Sequence, residues 1–210
     1  MIILKNVSKT FRDKTVLQKT DLTVESGTIT GFIGRNGSGK TVLLKLICGL
    51  MLPTTGTVTV DGVQVGRDRD FAPDAGVLIE TPSFIHYESG LRNLRALAAI
   101  RRKISVEQVK DAICLVGLDP EDKKRVGKYS LGMRQRLGIA QAIMEDPSLI
   151  ILDEPMNGLD KEGVEEMRVL FSNLRGEGKT ILLASHSAED VDLLCDAVYE
   201  LDNGAMERVR

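Results

Sequence analysis

The sequence lacks a strong excess of charge of either sign. Its 28 lysine and arginine residues are matched by 30 aspartate and glutamate residues, which gives a net charge of −2. A protein that binds nucleic acid needs a basic surface to contact the phosphate backbone. The balance of charges therefore argues against a nucleic-acid partner.

Long hydrophobic runs are also missing. No stretch approaches the roughly 18 consecutive apolar residues of a membrane-spanning helix. The N-terminal sequence MIILKNVSKTF lacks the apolar segment of a signal peptide. If the protein works at a membrane, we expect another chain to span it.

Cysteine is scarce, with only Cys48, Cys114 and Cys195, which lie far apart in apolar helical contexts. They predict buried thiols in a reducing compartment, and no spacing typical of metal ligands is present.

The 210 residues are 42% hydrophobic and 28% charged, which suits one globular domain with a substantial core.

The pattern of apolar residues divides the chain into three parts. Short β-rich runs come first, at residues 1–6, 21–24, 28–33, 57–60 and 63–65, with a hairpin turn at Asp61 and Gly62. Helical spacing follows at residues 91–100 and 106–116, where Ser105 and Gln108 suggest a capping box, and in a third helix that contains Met133.

Strands and helices then alternate to the end of the chain. Strands are predicted at 149–152, 180–184 and 197–201, and helices at 163–174 and 188–194. Apolar strands separated by helices indicate a parallel sheet that is covered on both faces.

A glycine-rich segment joins the predicted strand 28–33 to a predicted helix at 41–50. Its sequence, GRNGSGKT from Gly34 to Thr41, fits the pattern G-x-x-x-x-G-K-[ST]. Glycines let several backbone N–H groups converge on phosphate oxygens, and the helix N-terminus adds its positive end. Lys40 can then reach the β- and γ-phosphates while the Thr41 hydroxyl binds Mg²⁺; the alternative is a glycine-rich turn without a ligand.

The predicted nucleotide contacts in this segment are Gly34, Arg35, Asn36, Gly37, Ser38, Gly39, Lys40, Thr41 and Val42.

An apolar strand ends in two acids at Asp153 and Glu154. Asp153 is predicted to hold Mg²⁺ through a water molecule, and Glu154 to act as a general base or polarising group for an attacking water. Downstream of a phosphate loop, the pair predicts nucleotide hydrolysis, although a kinase that transfers phosphate to another molecule also fits these two motifs.

A third motif precedes the acidic pair. The sequence YSLGMRQR, from Tyr129, resembles the signature motif of ABC-type ATPases, usually written L-S-G-G-Q. Ser130 and Gly132 match it, whereas Leu131 and Met133 depart from it in a way similar to many exporter ATPases of this family. Without the resemblance, Ser130 could simply cap the following helix.

The remaining family motifs follow in the family's order. Residues 157–160, which end at Asp160, resemble the D-loop, and His186 resembles the switch histidine. Phe11 matches the aromatic residue that stacks on adenine, and stacking of this kind tolerates any base. Taken singly, Phe11 could be a core residue and His186 a structural one, but six matches in sequence order favour the family.

The resemblance covers essentially the whole chain and implies the fold. The implied fold is that of an α/β P-loop NTPase of the ABC type, with a parallel core sheet, an N-terminal antiparallel β subdomain and an inserted helical subdomain. We expect a single domain over 1–210, in which about 1–80 and 145–210 form the nucleotide-binding core and about 81–144 the helical signature subdomain.

The resemblance also implies partners and a location. Two cassettes, identical or related, are expected to pack head to tail, with Mg²⁺ and ATP between the phosphate loop of one and Ser130 and Gly132 of the other. Integral-membrane permease subunits are expected to contact residues 84–89 from the inner face of the cell membrane, where the protein would be cytoplasmic and peripheral. An importer ATPase and a soluble ABC-type ATPase of DNA repair or translation are the alternatives to an exporter.

One position departs from most of the family. In the stretch GVLIETPSF, residues 76–79 predict the end of a buried strand, and Glu80 follows where most ABC ATPases have the glutamine of the Q-loop. The stretch resembles the E-loop of lantibiotic-immunity and bacitracin-resistance exporters. Glutamate brings a full charge and two acceptors, so we expect Glu80 to face the metal together with Thr41 and Asp153. The alternatives are a tolerated substitution, or a strand that has simply reached solvent.

Overall fold

The computed structural model describes residues Met1–Arg210 and contains two sheets and six α-helices. The strands are β1 (Ile2–Phe11), β2 (Lys14–Val24), β3 (Ile29–Ile33), β4 (Thr55–Val60), β5 (Val63–Gln64), β6 (Ala75–Leu78), β7 (Leu149–Asp153), β8 (Thr180–Ala184), β9 (Ala197–Asp202) and β10 (Ala205–Arg208). The helices are α1 (Lys40–Cys48), α2 (Gly90–Arg101), α3 (Val106–Leu115), α4 (Leu131–Ile143), α5 (Lys161–Gly176) and α6 (Ala188–Leu194).

Short polar side chains fix where most of these helices begin, because they accept a hydrogen bond from an N–H group of the first turn. The capping residues are Ser89 for α2, Ser105 for α3, Ser130 for α4, Asp160 for α5 and Ser187 for α6. The predicted capping box of α3 is confirmed, since the Gln108 side chain also accepts from the backbone N–H of Ser105.

The six-stranded sheet positions the site. Its order is β10-β9-β3-β8-β7-β6, and all neighbours are parallel except the β9–β10 pair. The carboxyl ends of β3, β6, β7 and β8 therefore meet at one edge, which is where ligands bind in open α/β sheets. The residues that follow these ends include Gly34, Glu80, Glu154 and His186.

Two hydrophobic cores cover the two faces of this sheet. Along β7, Ile150 and Leu152 join a core formed with α2 to α6, whereas Leu149 and Ile151 join a core formed with α1 and the antiparallel sheet. The antiparallel sheet has the order β2-β1-β4-β5. The predicted class, an α/β fold with a parallel core sheet and an N-terminal antiparallel subdomain, is confirmed.

Three local predictions were incomplete or wrong. Strands do form at 1–6 and 21–24, but the predicted ranges were too short: they are the outer ends of a long hairpin, in which β1 continues to Phe11 and β2 starts at Lys14. The strand predicted as buried around Val77 is β6, an edge strand of which only Leu78 is fully buried.

The third error concerns the cysteines. Cys48 and Cys195 are buried, and burial raises the pKa of the Cys195 thiol to about 12. Cys114, however, is exposed, because α3 turns Val109 and Ile113 toward the core and Cys114 away from it.

No helix of the fold has both the length and the apolar character needed to cross a membrane.

Candidate active site

The phosphate loop connects β3 directly to α1. Gly37 and Gly39 have φ angles of 81° and 113°, in the region that side chains with a Cβ atom avoid. At Gly39 a Cβ atom would also lie 2.9 Å from the carbonyl oxygen of Val16. The backbone of the loop therefore requires glycine at these positions, and it ends in the free N–H groups of the α1 terminus.

Lys40 is the first residue of α1 and is 6% exposed. Its Nζ atom donates to the carbonyl oxygen of Gly34 at 2.6 Å and to that of Arg35 at 3.4 Å, and it lies 3.8 Å from Oε1 of Glu154. The buried hydroxyl of Ser38 has no hydrogen-bond partner. The loop therefore presents both a positive charge and an unsatisfied polar group, which suits an anionic ligand.

Asp153, the last residue of β7, contacts the same helix. The Thr41 hydroxyl donates to its Oδ2 atom at 2.6 Å, and the carboxylate is 6% exposed. Burial raises the pKa of Asp153 above its ordinary value, and Glu154 adds to the increase, while the bond from Thr41 opposes it. Burial therefore disfavours the ionised carboxylate more than its hydrogen-bond partners and Lys40 favour it.

Glu154 occupies a left-handed backbone conformation, with φ of 50°. Its Oε2 atom lies 2.7 Å from Nδ1 of His186 and accepts from the His186 backbone N–H at 3.3 Å. Its carbonyl oxygen accepts from Nε2 of Gln135, a buried residue of α4, at 3.1 Å. The ends of β7 and β8 thus hold the carboxylate between Lys40 and His186.

Glu80 follows β6 and also has a left-handed backbone, with φ of 60°. The backbone N–H of Glu80 faces the Asp153 carboxylate and lowers its pKa. The side chain does not extend in the same direction: Oε1 accepts from Nζ of Lys45, on α1, at 2.6 Å. This partner was not predicted from the sequence.

These groups surround one cavity of about 490 Å³. Its walls come from the phosphate loop, the end of β7, the segment that follows β6, and the first turns of α4. The lining residues are Arg35, Asn36, Gly37, Ser38, Gly39, Lys40, Thr41, Glu80, Thr81, Pro82, Leu131, Arg134, Gln135, Asp153, Glu154 and Asn157. Only one of these residues is hydrophobic, so the cavity suits a polar ligand.

Several residues that the sequence predicted for the site do not line this cavity. Phe11 is 41% exposed, with the Lys9 ammonium 5.1 Å from its ring centre, and Val42 packs against the core. Gly34 contributes its carbonyl oxygen to Lys40, and His186 reaches the site through Glu154.

The remaining predicted residues belong to a second region, formed by the turn before α4 and the loop before α5. Ser130 accepts from Met133 N–H at 3.1 Å, and Asp160 accepts from Gly163 N–H at 2.9 Å. At Gly132 an added Cβ atom would lie 2.8 Å from the Gly158 carbonyl oxygen, so the two segments touch. The Ser130 and Asp160 side chains cap helices here, and their nucleotide contacts remain predictions.

Sequence reasoning missed Lys45 and Gln135. Lys45 lies one helical turn after Thr41, so the i, i+4 spacing could have placed it on the same face of α1. No local signal connects Gln135 with Glu154, 19 residues later, because that contact depends on how α4 packs against the sheet.

The oxygen atoms at the end of β7 and at the start of α1 suit the coordination of a magnesium ion. The Thr41 hydroxyl and the Asp153 carboxylate lie side by side, and both are oxygen ligands of the kind that Mg²⁺ prefers. No group of three histidine, cysteine, aspartate or glutamate side chains is assembled in the chain. Mg²⁺ does not need one, because water and substrate phosphates supply its other ligands.

The fold resembles solved structures over its full length. The dimeric structure of a post-hydrolysis state of the ATP-binding cassette MJ0796, bound to ADP and Pi, superposes with a TM-score of 0.89 over 100% of this chain and 99% of that one. The two sequences are 23% identical, so this likeness concerns the fold.

Sequence comparisons give the family. Residues 17–157 match the family model described as ABC transporter. The chain is 40% identical over 207 residues to the uncharacterized ABC transporter ATP-binding protein YybJ of Bacillus subtilis (strain 168), covering 99% of this chain and 95% of that protein. It is 41% identical over 206 residues to the bacitracin transport ATP-binding protein BcrA of Enterococcus faecalis, covering 97% of this chain and 67% of that protein. The chain therefore belongs to the ABC transporter family and is an ATP-binding, ATP-hydrolysing cassette of that family.

Proposed function

We propose that this cassette drives export of an antimicrobial peptide, a lipid or a hydrophobic drug through a separate membrane permease. The observation that carries the proposal is the convergence of Lys40, Thr41, Asp153 and Glu154 on one polar cavity, because it supplies the ATP-driven step. The 41% identity to a bacitracin transport ATP-binding protein supports an antimicrobial peptide as cargo. Glu80 at the Q-loop position, which resembles the E-loop of exporters, supports the export direction.

In this proposal the phosphate loop binds the triphosphate. The N–H groups at the start of α1 face the phosphate oxygens, and Lys40 exchanges its bonds to the Gly34 and Arg35 carbonyl oxygens for bonds to the β- and γ-phosphates. Phe11 stacks on the adenine ring from the end of β1. Phe11 is 41% exposed, so its ring is accessible to a stacked base.

Thr41 and Asp153 would hold Mg²⁺, which neutralises charge on the phosphates when it is bound. Glu154 accepts a proton from water as the water oxygen bonds to the γ-phosphorus. The bond between that phosphorus and its bridging oxygen breaks, and ADP and phosphate result. His186 orients the carboxylate through its 2.7 Å contact, so that the acceptor oxygen stays directed at the cavity.

A second cassette, identical or related, completes the site in this proposal. Ser130 and Gly132 contact the γ-phosphate held by the partner, and Asp160 lies at the same interface. The support comes from the turn that contains Ser130: its hydroxyl caps α4 and does not line the cavity of its own chain. Such a turn can serve a phosphate bound elsewhere.

The permease contact is proposed for residues 84–89, which precede α2. Ile85 and Tyr87 are 43% and 70% exposed, whereas Phe84 is buried and would anchor the segment. This surface would belong to the helical subdomain at about 81–144, between the two parts of the nucleotide-binding core at about 1–80 and 145–210. The protein would then be cytoplasmic and peripheral on the inner face of the membrane.

The experiment is a pull-down of the native complex from detergent-solubilised membranes, followed by identification of the co-purified chains. A multi-helix permease is the expected partner, and Ile85→Asp with Tyr87→Asp should weaken its capture. Ile100→Asp, at a 77% exposed residue outside the proposed contact, is the matched control. Recovery of ribosomes or DNA-repair proteins without a permease would contradict the proposal, and a substrate-binding protein bound to the permease would indicate import.

A further inference from the structure

Lys45 contacts Glu80 through an ion pair at the edge of the nucleotide cavity. The distance from Nζ to Oε1 is 2.6 Å, and the side chains are 23% and 64% exposed. No other acceptor lies within hydrogen-bond distance of the Lys45 ammonium, and no other side chain donates to the Glu80 carboxylate. Each group is therefore the sole side-chain partner of the other.

The position of Lys45 on α1 explains why it reaches Glu80. Thr41 and Lys45 are one helical turn apart and lie on the same side of the helix. Thr41 binds Asp153, at the end of β7, while Lys45 binds Glu80, just beyond the end of the neighbouring strand β6. One face of α1 thus contacts two acidic groups at adjacent strand ends.

The two contacts have different consequences for a cation. The bond from Thr41 brings together two oxygen ligands that suit Mg²⁺. The bond from Lys45 instead occupies an oxygen of Glu80 with a positive charge. The contact at Oε1 holds the carboxylate beside Lys45, and the ammonium charge repels a second cation brought to the same group, so Lys45 competes with any metal for Glu80.

We propose that Lys45 is a positioning residue that holds the Glu80 carboxylate away from the metal ligands Thr41 and Asp153, so that release from Lys45 increases the affinity of the site for a divalent cation. The proposal deepens the ATP-driven step of the proposed function and rests on it. It also gives Glu80 two alternative positions, one on Lys45 and one on the metal side of the cavity.

The strength of the pair fits this exchange. Ion pairs between partly exposed side chains are weak, and breaking one shifts an equilibrium by about two- to fivefold. A contact of that strength orders the carboxylate without preventing its release. Because glutamine carries no charge, the exchange requires glutamate at position 80.

The test measures divalent-ion binding directly. Free Mn²⁺ is followed by electron paramagnetic resonance during titration of the full chain in the presence of the non-hydrolysable analogue AMP-PNP. Lys45→Met should bind Mn²⁺ about two- to fivefold more tightly than the wild type, and Lys45→Arg, which retains the charge, should stay near the wild type. Lys110→Met is the matched control, since Lys110 forms a 2.6 Å pair with Glu121.

A double-mutant cycle separates this role from a general effect of charge. In a Glu80→Gln background, Lys45→Met should lose its two- to fivefold effect, because the competing carboxylate is gone. Lys45→Gln repeats the cycle if the methionine variant folds poorly by circular dichroism. An equal effect of Lys45→Met in both backgrounds, or no effect in either, would overturn the proposal.

Failure of the proposed function gives a different result. In that case the wild type itself would show no Mn²⁺ binding that depends on AMP-PNP. Nucleotide-dependent Mn²⁺ binding that is insensitive to Lys45 would leave the ATPase function intact and reject only the role of Lys45.

Discussion

The phosphate-loop region and the turn that contains Ser130 both present a helix N-terminus, but they differ in what surrounds it. Around α1, Lys40 and Glu154 lie within 4 Å of each other, and the Ser38 hydroxyl lacks a partner. At α4, the Ser130 hydroxyl already caps its own helix and lies outside the cavity. The first region is assembled within one chain, whereas our proposal gives the second a ligand that another chain brings.

The largest expected effect comes from Lys40→Ala. Removal of the only ammonium group that contacts both the loop carbonyls and Glu154 should lower ATP turnover by about 100-fold or more, because a charge that stabilises the transition state is lost. Turnover measured by phosphate release checks this, with Lys110→Ala as a control outside the cavity. Unchanged turnover in Lys40→Ala would show that the phosphate-loop region does not need the charge of Lys40.

Glu154→Gln should reduce turnover by about 10²- to 10⁴-fold while ATP binding persists, because the amide cannot accept the proton of water. Since ATP would then remain in the interface, size-exclusion chromatography with Mg·ATP should show a dimer. Glu162→Gln, at an acidic residue in the first turn of α5, provides the control. A Glu154→Gln variant with normal turnover would exclude Glu154 as the base.

The smallest effect concerns stability. The pKa of Asp153 is raised in the folded protein, so its ionised form is disfavoured there, and this penalty is fully present above the folded-state pKa. Asp153→Asn should therefore raise the unfolding midpoint at neutral pH, by about 2–4 °C if the gain is about 1 kcal/mol. The gain should shrink as the pH falls through that pKa.

Differential scanning calorimetry without nucleotide measures this change, and Asp13→Asn, at an exposed position, is the control. A lower midpoint for Asp153→Asn at neutral pH would show that the carboxylate stabilises the fold. The phosphate-loop region would then not contain a destabilising charge at Asp153.

The features that could be predicted from sequence depend on local spacing. The phosphate loop, the capping box of α3 and the acidic end of β7 each lie within a few residues, so short-range stereochemistry reveals them. The length of β1 could not be predicted, because its pairing with β2 shifts register after Leu4 and Asn6 has φ of 50°, which interrupts the alternation of apolar residues.

Other features depend on contacts between distant parts of the chain. The exposure of β6 follows from its place at the edge of the sheet, which is set by strand order. The ion pair of Lys45 with Glu80 joins residues 35 positions apart. A motif identifies residue 80 as part of the site, but only the packing of α1 against the sheet identifies its partner.

The most direct test of a site divided between two chains measures both Mg·ATP affinity and ATP turnover in Lys40→Ala and in Ser130→Asp. Aspartate keeps the α4 cap, and its charge should repel a partner's γ-phosphate. Ser105→Asp, at the α3 cap, is the matched control. We predict that Lys40→Ala loses affinity and turnover, whereas Ser130→Asp retains monomer affinity and loses only turnover. Equal loss of affinity in both variants, or normal turnover in Ser130→Asp, would contradict a site divided between two chains.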